Sequence, residues 1–432
     1  GDRGGFITIG LATELKKSLA ERLEANGGFF VGAGGGRGGY SLSGGGLMLR
    51  AHLGLSLLTR QWGALGAGLS YVSFPEGGNI DSFQPYLAYD YYFTSLPARG
   101  WLEPATGSES EVAWPGREQE FAVVYREDSI PAGVLTDGGR PQERHLDLLG
   151  VEWLRYLQKH YFLKIETAGA AGGRSNGYMQ ILLGGGYRLA LTDSSAAKLA
   201  LALGVAGGGG VATGGGLLCD VSLALQQELP RALYLEAAAG YVMAADGDFE
   251  ATSLAVKLGK RFSTPVAGPA PVAVAALAGY EPQHLRWRTT QQTYFQADPA
   301  WRKHHADLDV YNLGFQCDYF WHRNIFLSGQ VLAAYKGMAG AYMTGLVGGG
   351  LHLPLGSSPV FAEVEALIGA AGGGGLDVGG GLVWQVNAGL GYQLNEAFSL
   401  QGSYGFMDAV EGRFQAEVLG LSLAYHFTVF SR

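Results

Sequence analysis

Leu419 to Phe427 reads Leu-Gly-Leu-Ser-Leu-Ala-Tyr-His-Phe. Leu419, Leu421, Leu423, Tyr425 and Phe427 fall on one face at period two, and Gly420, Ser422, Ala424 and His426 on the other, so the stretch is a β-strand with one apolar face and one small, polar face. The pattern recurs along the chain. Tyr311, Leu313, Phe315, Cys317, Tyr319 and Trp321 alternate with Asn312, Gly314, Gln316 and Asp318; Leu49, Ala51, Leu53, Leu55 and Leu57 alternate with Arg50, His52, Gly54 and Ser56. A soluble protein would have to hide every apolar face in one core. A closed barrel in lipid turns them outward and needs no such core.

Composition agrees. Gly 71 is more than twice the usual share and charged residues make up only 16%, yet no apolar run reaches the length of a membrane-spanning helix. A formal net charge of -8 argues against a nucleic-acid partner, which wants a clustered basic surface. Cys219 and Cys317 each lie on the apolar face of a strand and lack CxxC spacing, so neither a disulfide between them nor a metal site is expected. Gly1 with no preceding Met fits a mature exported chain.

Self-comparison is the most specific signal. Gly204 to Phe262 aligns without a gap on Gly369 to Phe427, placing Gly207 to Gly210 on Gly372 to Gly375, Gly214 to Gly216 on Gly379 to Gly381 and Tyr241 on Phe406. Upstream, Tyr178 and Met179 match Tyr342 and Met343. A partial copy opens the chain, with Gly44 to Gly46 and Tyr71 falling on Gly214 to Gly216 and Tyr241. The expected division is an N-terminal segment over 1–28, then a barrel over 29–432 built from a partial repeat at 29–93 and full repeats at 119–262 and 271–427. Four strands in the partial copy and eight in each full one make a single closed antiparallel barrel of about 20 strands.

The apolar strand that ends in Tyr425 and Phe427 near the C-terminus resembles the closing strand of bacterial outer-membrane β-barrels, in which the terminal aromatic is the assembly signal; Thr428 to Arg432 follow it here. The resemblance implies the bacterial outer membrane and a porin-like barrel. With Phe427 at the periplasmic end, alternate turns put Arg126 to Arg144, Glu281 to Ala306 and the Gly-rich turns near Ala212 and Asp377 outside. The joints, Thr94 to Glu118 and Ser263 to Ala270, become periplasmic.

In the N-terminal segment Leu11, Leu15, Leu19 and Leu23 recur every four residues and Asn26-Gly27-Gly28 can stop a turn, which predicts a short amphipathic helix plugging the barrel mouth or lying on its rim. The glycine blocks serve geometry: sharp coiling, bulges, or close approach of a ring or another backbone. A phosphate-cradling loop would need Gly-Lys-Ser/Thr opening a helix, and a strand follows instead.

Arg50, His52, Asp220, Ser222, Asn312, Gln316, Asp318, Gln385 and Asn387 are the expected lumen-lining residues. Arg286, Trp287, Arg288, Tyr294, Trp301, Arg302 and Lys303 form the densest cation-aromatic stretch, suited as a surface loop to sugar or lipopolysaccharide phosphate; His304 and His305 beside it could ligate a metal. The plain alternative is a solvated extension at the depth of lipopolysaccharide, and no metal or cofactor is expected. His52, His145, His352 and His426 stand on different strands with no Ser or acidic motif beside them, so an enzyme is not expected. The leading expectation is passive passage of small solutes through a porin-like channel. The alternatives are a scaffold barrel that packs a partner protein at its mouth in a surface or secretion assembly, and a transporter of hydrophobic molecules. Expected partners are outer-membrane lipid and lipopolysaccharide.

Overall fold

A computed structural model describes residues 5–36, 38–59, 63–90, 98–102, 116–265, 280–303 and 308–431. Strands β1 (Ile7–Ala20), β2 (Leu23–Gly35), β3 (Leu47–Thr59), β4 (Gly63–Ser73) and β5 (Asp81–Asp90) form an open antiparallel sheet. A one-turn helix α1 (Tyr40–Ser43) sits between β2 and β3, and a short strand β6 (Ala98–Arg99) follows β5.

Strands β7 (Gly116–Ser129), β8 (His145–Tyr156), β9 (Tyr161–Ala170), β10 (Met179–Ala190), β11 (Ser195–Gly207), β12 (Leu217–Glu228), β13 (Leu233–Ala244) and β14 (Glu250–Pro265) close into a barrel, because β14 pairs back onto β7 from Thr252↔Ser129 to Pro265↔Gly116. The second full repeat does the same. β15 (Glu281–Gln296), β16 (Val310–His322), β17 (Ile325–Lys336), β18 (Met343–Pro354), β19 (Val360–Gly372), β20 (Leu382–Gln393), β21 (Phe398–Ala409) and β22 (Gln415–Ser431) close through β15–β22, with β6 added alongside β22 at Phe427↔Arg99.

This corrects the single barrel of about 20 strands: the described residues make two separate closed eight-stranded barrels and a five-stranded sheet. Counting strands along a chain gives their number and not their partition. Each full repeat carries the eight strands with which a sheet can close on itself, and closure removes both edges. The expected N-terminal helix is also overturned. Leu11, Leu15 and Leu19 lie on β1, exposed on one face, while Glu14 and Lys16 face the other way. A period of four is a multiple of two, so the same leucines that stripe a helix stripe a strand, and the run of Ile, Thr and Leu with a partner in β2 decides it.

Outward rows are apolar and bare. Leu223, Leu390 and Leu421 are 59%, 62% and 60% exposed, with Leu201, Leu254 and Leu400 among many others. Among the described residues no helix is long and apolar enough to cross a membrane.

The strand-to-strand turns at one end of each unit hold the glycine blocks, and there the three units meet through equivalent contacts. In register, Ile7, Met179 and Met343 stand opposite Gly35, Gly207 and Gly372. Two residues before Ile7, Met179 and Met343 lie Gly5, Gly177 and Ala341. Gly372 of the second barrel lies against the backbone of Gly177 of the first, Gly35 of the open sheet against Ala341 of the second barrel, and Gly5 of the open sheet against Gly207 of the first barrel. A β-carbon on Gly372 would collide with the Gly177 backbone, so close approach between units is what these glycines provide. Each unit touches the next in the same way and the sequence of contacts returns to its start, as in a ring with threefold pseudo-symmetry. Asn176 Nδ2 donating to Gly379 O at 2.6 Å reinforces the first of these contacts.

Candidate functional site

The period-two alternation that bares leucine outside drives the polar row into each lumen, where an eight-stranded barrel has room for side chains only. In the first barrel that row is strongly charged. Lys198 Nζ lies 2.5 Å from Glu120 and 2.7 Å from Glu236; Lys257 Nζ lies 2.9 Å from Glu236 and 2.7 Å from Glu152. Lys164 Nζ bridges Glu152 at 3.2 Å and Glu166 at 2.8 Å, and Arg126 meets Asp128 at 2.7 Å and Asp220 at 3.0 Å. The result is one alternating thread of charge through the lumen, with all these side chains buried. Removing such charges from water is costly unless each is paired, and sharing each cation between carboxylates from different strands achieves that.

The second barrel uses fewer charges and more amides. Arg286 on β15 donates from Nε to Asp318 at 2.7 Å and from Nη1 and Nη2 to Glu363 at 2.6 and 3.0 Å. Arg288, two residues on and so on the same face, donates to Asp318, Glu365 and Gln401. His352 Nδ1 and Gln401 Nε2 complete Glu363 at 2.6 and 2.9 Å. Gln316 joins Ser328 and Glu365, and Gln385 joins Asn387 and Gln292. In each barrel ion pairs span strands four apart in the sheet order, Lys198–Glu120 between β11 and β7 in the first, Arg286–Glu363 and Arg288–Glu365 between β15 and β19 in the second. Four of eight is opposite, so these pairs cross the lumen.

Aromatic clusters close the ends. At the glycine end of the second barrel Trp301 stacks on Phe414 with centroids 5.0 Å apart, packed with Tyr294 and Tyr342, all fully buried. Burial in that turn pulls the Arg302 guanidinium down to about 10; it donates to the carbonyls of Gly337 and Met338. The opposite end, where the units are joined, is capped by Trp101, which comes from outside the repeat. Its ring lies 4.4 Å from Phe320, 4.9 Å from His426 and 5.5 Å from His284, and its Nε1 donates to Leu285 O. In the first barrel Tyr178 and Phe249 fill the glycine end, and Tyr156 and Phe162 the joint end.

The structure places the expected site residues as follows. Asp220, Asn312, Gln316, Asp318, Gln385 and Asn387 are buried inside the two barrels, and Ser222 is half-buried on an inward position of β12. Arg50 and His52 lie on the concave face of the open sheet, where His52 is 4.0 Å from Glu14. The cation-aromatic stretch is not one surface loop. Residues 281–296 are strand β15, so Arg286 and Arg288 point into the lumen, Trp287 between them points out, and Tyr294 and Trp301 plug the end. The reason is alternation: Arg286-Trp287-Arg288 is a polar–apolar–polar triplet, which a strand sorts onto opposite faces. Lys303 is exposed, 3.9 Å from Asp377. His304 and His305 lie outside the described residues, as do most of both joints. Glu363, Glu365, Lys164, Glu166, Lys198, Glu236 and Lys257 also line the lumens, and the sequence signal for each is a charge at period two among apolar neighbours. Among the described residues no group of His, Cys, Asp and Glu is arranged to hold a metal ion.

No family model matches the chain and no curated protein matches it. Similar solved structures include Neisserial surface protein A, at 13% identity over 34% of this chain and 96% of that one with a TM-score of 0.23. OccK11 (OpdR) of Pseudomonas aeruginosa is similar at 9% identity over 99% and 96% with a TM-score of 0.24, and designed transmembrane β-barrels at 10% over 34% and 96% with 0.23. At these TM-scores none of them bears on function. The surfaces of the chain itself decide its class: closed, even-stranded barrels with apolar exteriors and polar interiors are of the outer-membrane type, and this is an outer-membrane β-barrel protein.

Proposed function

We propose that this outer-membrane protein works as an assembly of small sealed barrels, a structural element of the bacterial outer membrane whose glycine end is shaped for close packing, and not by wide-bore flow through either lumen. One observation carries the reading: in both barrels an ion pair crosses the lumen between opposite strands, with a buried aromatic cluster at each end. The interior is fixed by a network of mutually dependent polar contacts, which gives rigidity and a unique register in place of a passage.

A second reading, narrow porin-like conduction of small ions, is favoured by buried polar atoms with no hydrogen-bond partner among the described residues, among them Asp128 Oδ2, Glu152 Oε1 and Asp220 Oδ1. Such atoms call for water inside the thread, and cations shared between carboxylates can exchange partners. Recording the purified protein in planar bilayers separates the two. The structural reading expects no resolved steps from the parent; small cation- or anion-selective steps that change with Lys198→Met would establish the second, and large ohmic steps would overturn both.

A further inference from the structure

The open sheet has the anatomy of a barrel that lacks three strands. Its strands match the last five of each closed unit, since β1 to β5 carry the register of β10 to β14 and β18 to β22: Ile7↔Gly35 corresponds to Met179↔Gly207 and Met343↔Gly372, and Arg50↔Val72 to Asp220↔Val242 and Gln385↔Met407. Among the described residues β1 pairs only with β2 and β5 only with β4. In the closed units the corresponding edges are taken, β10 by β9 and β14 by β7.

The curvature is already that of a barrel. Lys16 on β1 reaches Asp90 on β5 at 2.7 Å, an ion pair between strands four apart, the same span that Lys198–Glu120 and Arg286–Glu363 bridge across the closed lumens. The open sheet also occupies the third place in the ring of glycine contacts.

Its interior shows which strand is wanted. At the position of Arg50 the first barrel has Asp220, paired at 3.0 Å with Arg126, and the second has Gln385, donating at 3.3 Å to Gln292. Arg126 and Gln292 both stand on the first strand of their unit, opposite Ala255 and Gly420. In the open sheet Arg50 Nε is buried with no acceptor among the described residues, its guanidinium lying over Phe30 at 5.3 Å. The missing partner therefore belongs to a first strand, opposite Tyr86, the residue that register equates with Ala255.

We propose that β1 to β5 are the last five strands of a third eight-stranded barrel, completed by a three-stranded meander equivalent to β7, β8 and β9 that precedes β1 in the same polypeptide, so that the mature protein is a single-chain ring of three barrels. The up-and-down order of both closed units fixes this occupant: strands one to three of a unit come directly before strand four in the chain. The proposal stands apart from whether any lumen conducts.

The test is the mature protein as its native membrane holds it. Intact-mass and N-terminal fragment mass spectrometry should find chain N-terminal of Gly1 at least equal to the segment Gly116–Ala170, with three alternating apolar strands and Asp, Glu, Asn or Gln at the residue opposite Tyr86. Amides of β1 and β5 should exchange as slowly as those of β10 and β14. A mature N-terminus at Gly1, or a preceding segment without three such strands, overturns the proposal. Crosslinks joining β5 of one copy to β1 of another also overturn it, and would make a second copy the occupant.

Discussion

The Arg286–Glu363 pair offers a sharp test of how the lumens are held. Glu363 accepts both Nη atoms of Arg286, His352 Nδ1 and Gln401 Nε2, and both charged partners are buried. Glu363→Leu would strip Arg286 of its bidentate partner and leave it with Asp318, which Arg288 already shares. Removing one member of a buried pair costs about 3–5 kcal/mol, most of it the charge left behind. Arg286→Met should cost a similar amount, leaving Glu363 with His352 and Gln401. The double variant removes both charges together, so its loss should fall short of the sum of the singles by about 1–3 kcal/mol. The assay is reversible urea unfolding in lipid vesicles, followed by tryptophan fluorescence and by the heat-modifiable migration of folded barrels on gels. A double variant as unstable as the sum of the singles, or a Glu363→Leu loss below about 1 kcal/mol, would refute the latch and describe a solvated lumen.

Leu421→Arg puts a charge on the bare outer wall and should cost about 2–4 kcal/mol in the same assay, with failed insertion in cells; a neutral result would mean that face does not meet lipid. Asn312→Arg, on an inward and fully buried position, should overpack the second lumen by about 1–3 kcal/mol, checked by its unfolding midpoint. Gly372→Val, whose β-carbon would run first into the Gly177 and Asn176 backbones, should leave each barrel folded but part the two, seen as loss of a crosslink between units with unchanged β circular dichroism. Trp101→Ala should uncap the joint end of the second barrel at about 3–5 kcal/mol, a cost that unfolding reports and that vanishes if the cap is only a surface contact.

The sequence was legible wherever alternation alone decides. Leu419, Leu421 and Leu423 are exposed on the outer wall, and Asn312, Gln316 and Asp318 are inside. What alternation cannot carry is which strand a strand pairs with. The hydrogen bonds from Thr252 to Pro265 onto β7, which turn one expected barrel into two, are made by backbone and leave no mark on side-chain pattern. Leu11, Leu15 and Leu19 fit both periods, so only the pairing with β2 separates strand from helix. Arg286 and Arg288 were misplaced for a different reason: cations beside aromatics suit a surface by composition, while their spacing of two suits a lumen, and the spacing governs.

The central claim, that each repeat closes on itself, is tested most directly by a disulfide across the closing seam of the first barrel. Tyr125 and Val256 stand opposite each other on β7 and β14, both outward, at the Cα spacing of antiparallel neighbours that a disulfide can bridge. With Cys219 and Cys317 replaced by Ala, Tyr125→Cys with Val256→Cys should oxidise to an intramolecular bond in the folded, membrane-inserted protein, identified by peptide mass. No bond at this pair, together with ready bonding between cysteines on the outward faces of β14 and β15, would contradict it and restore one large barrel.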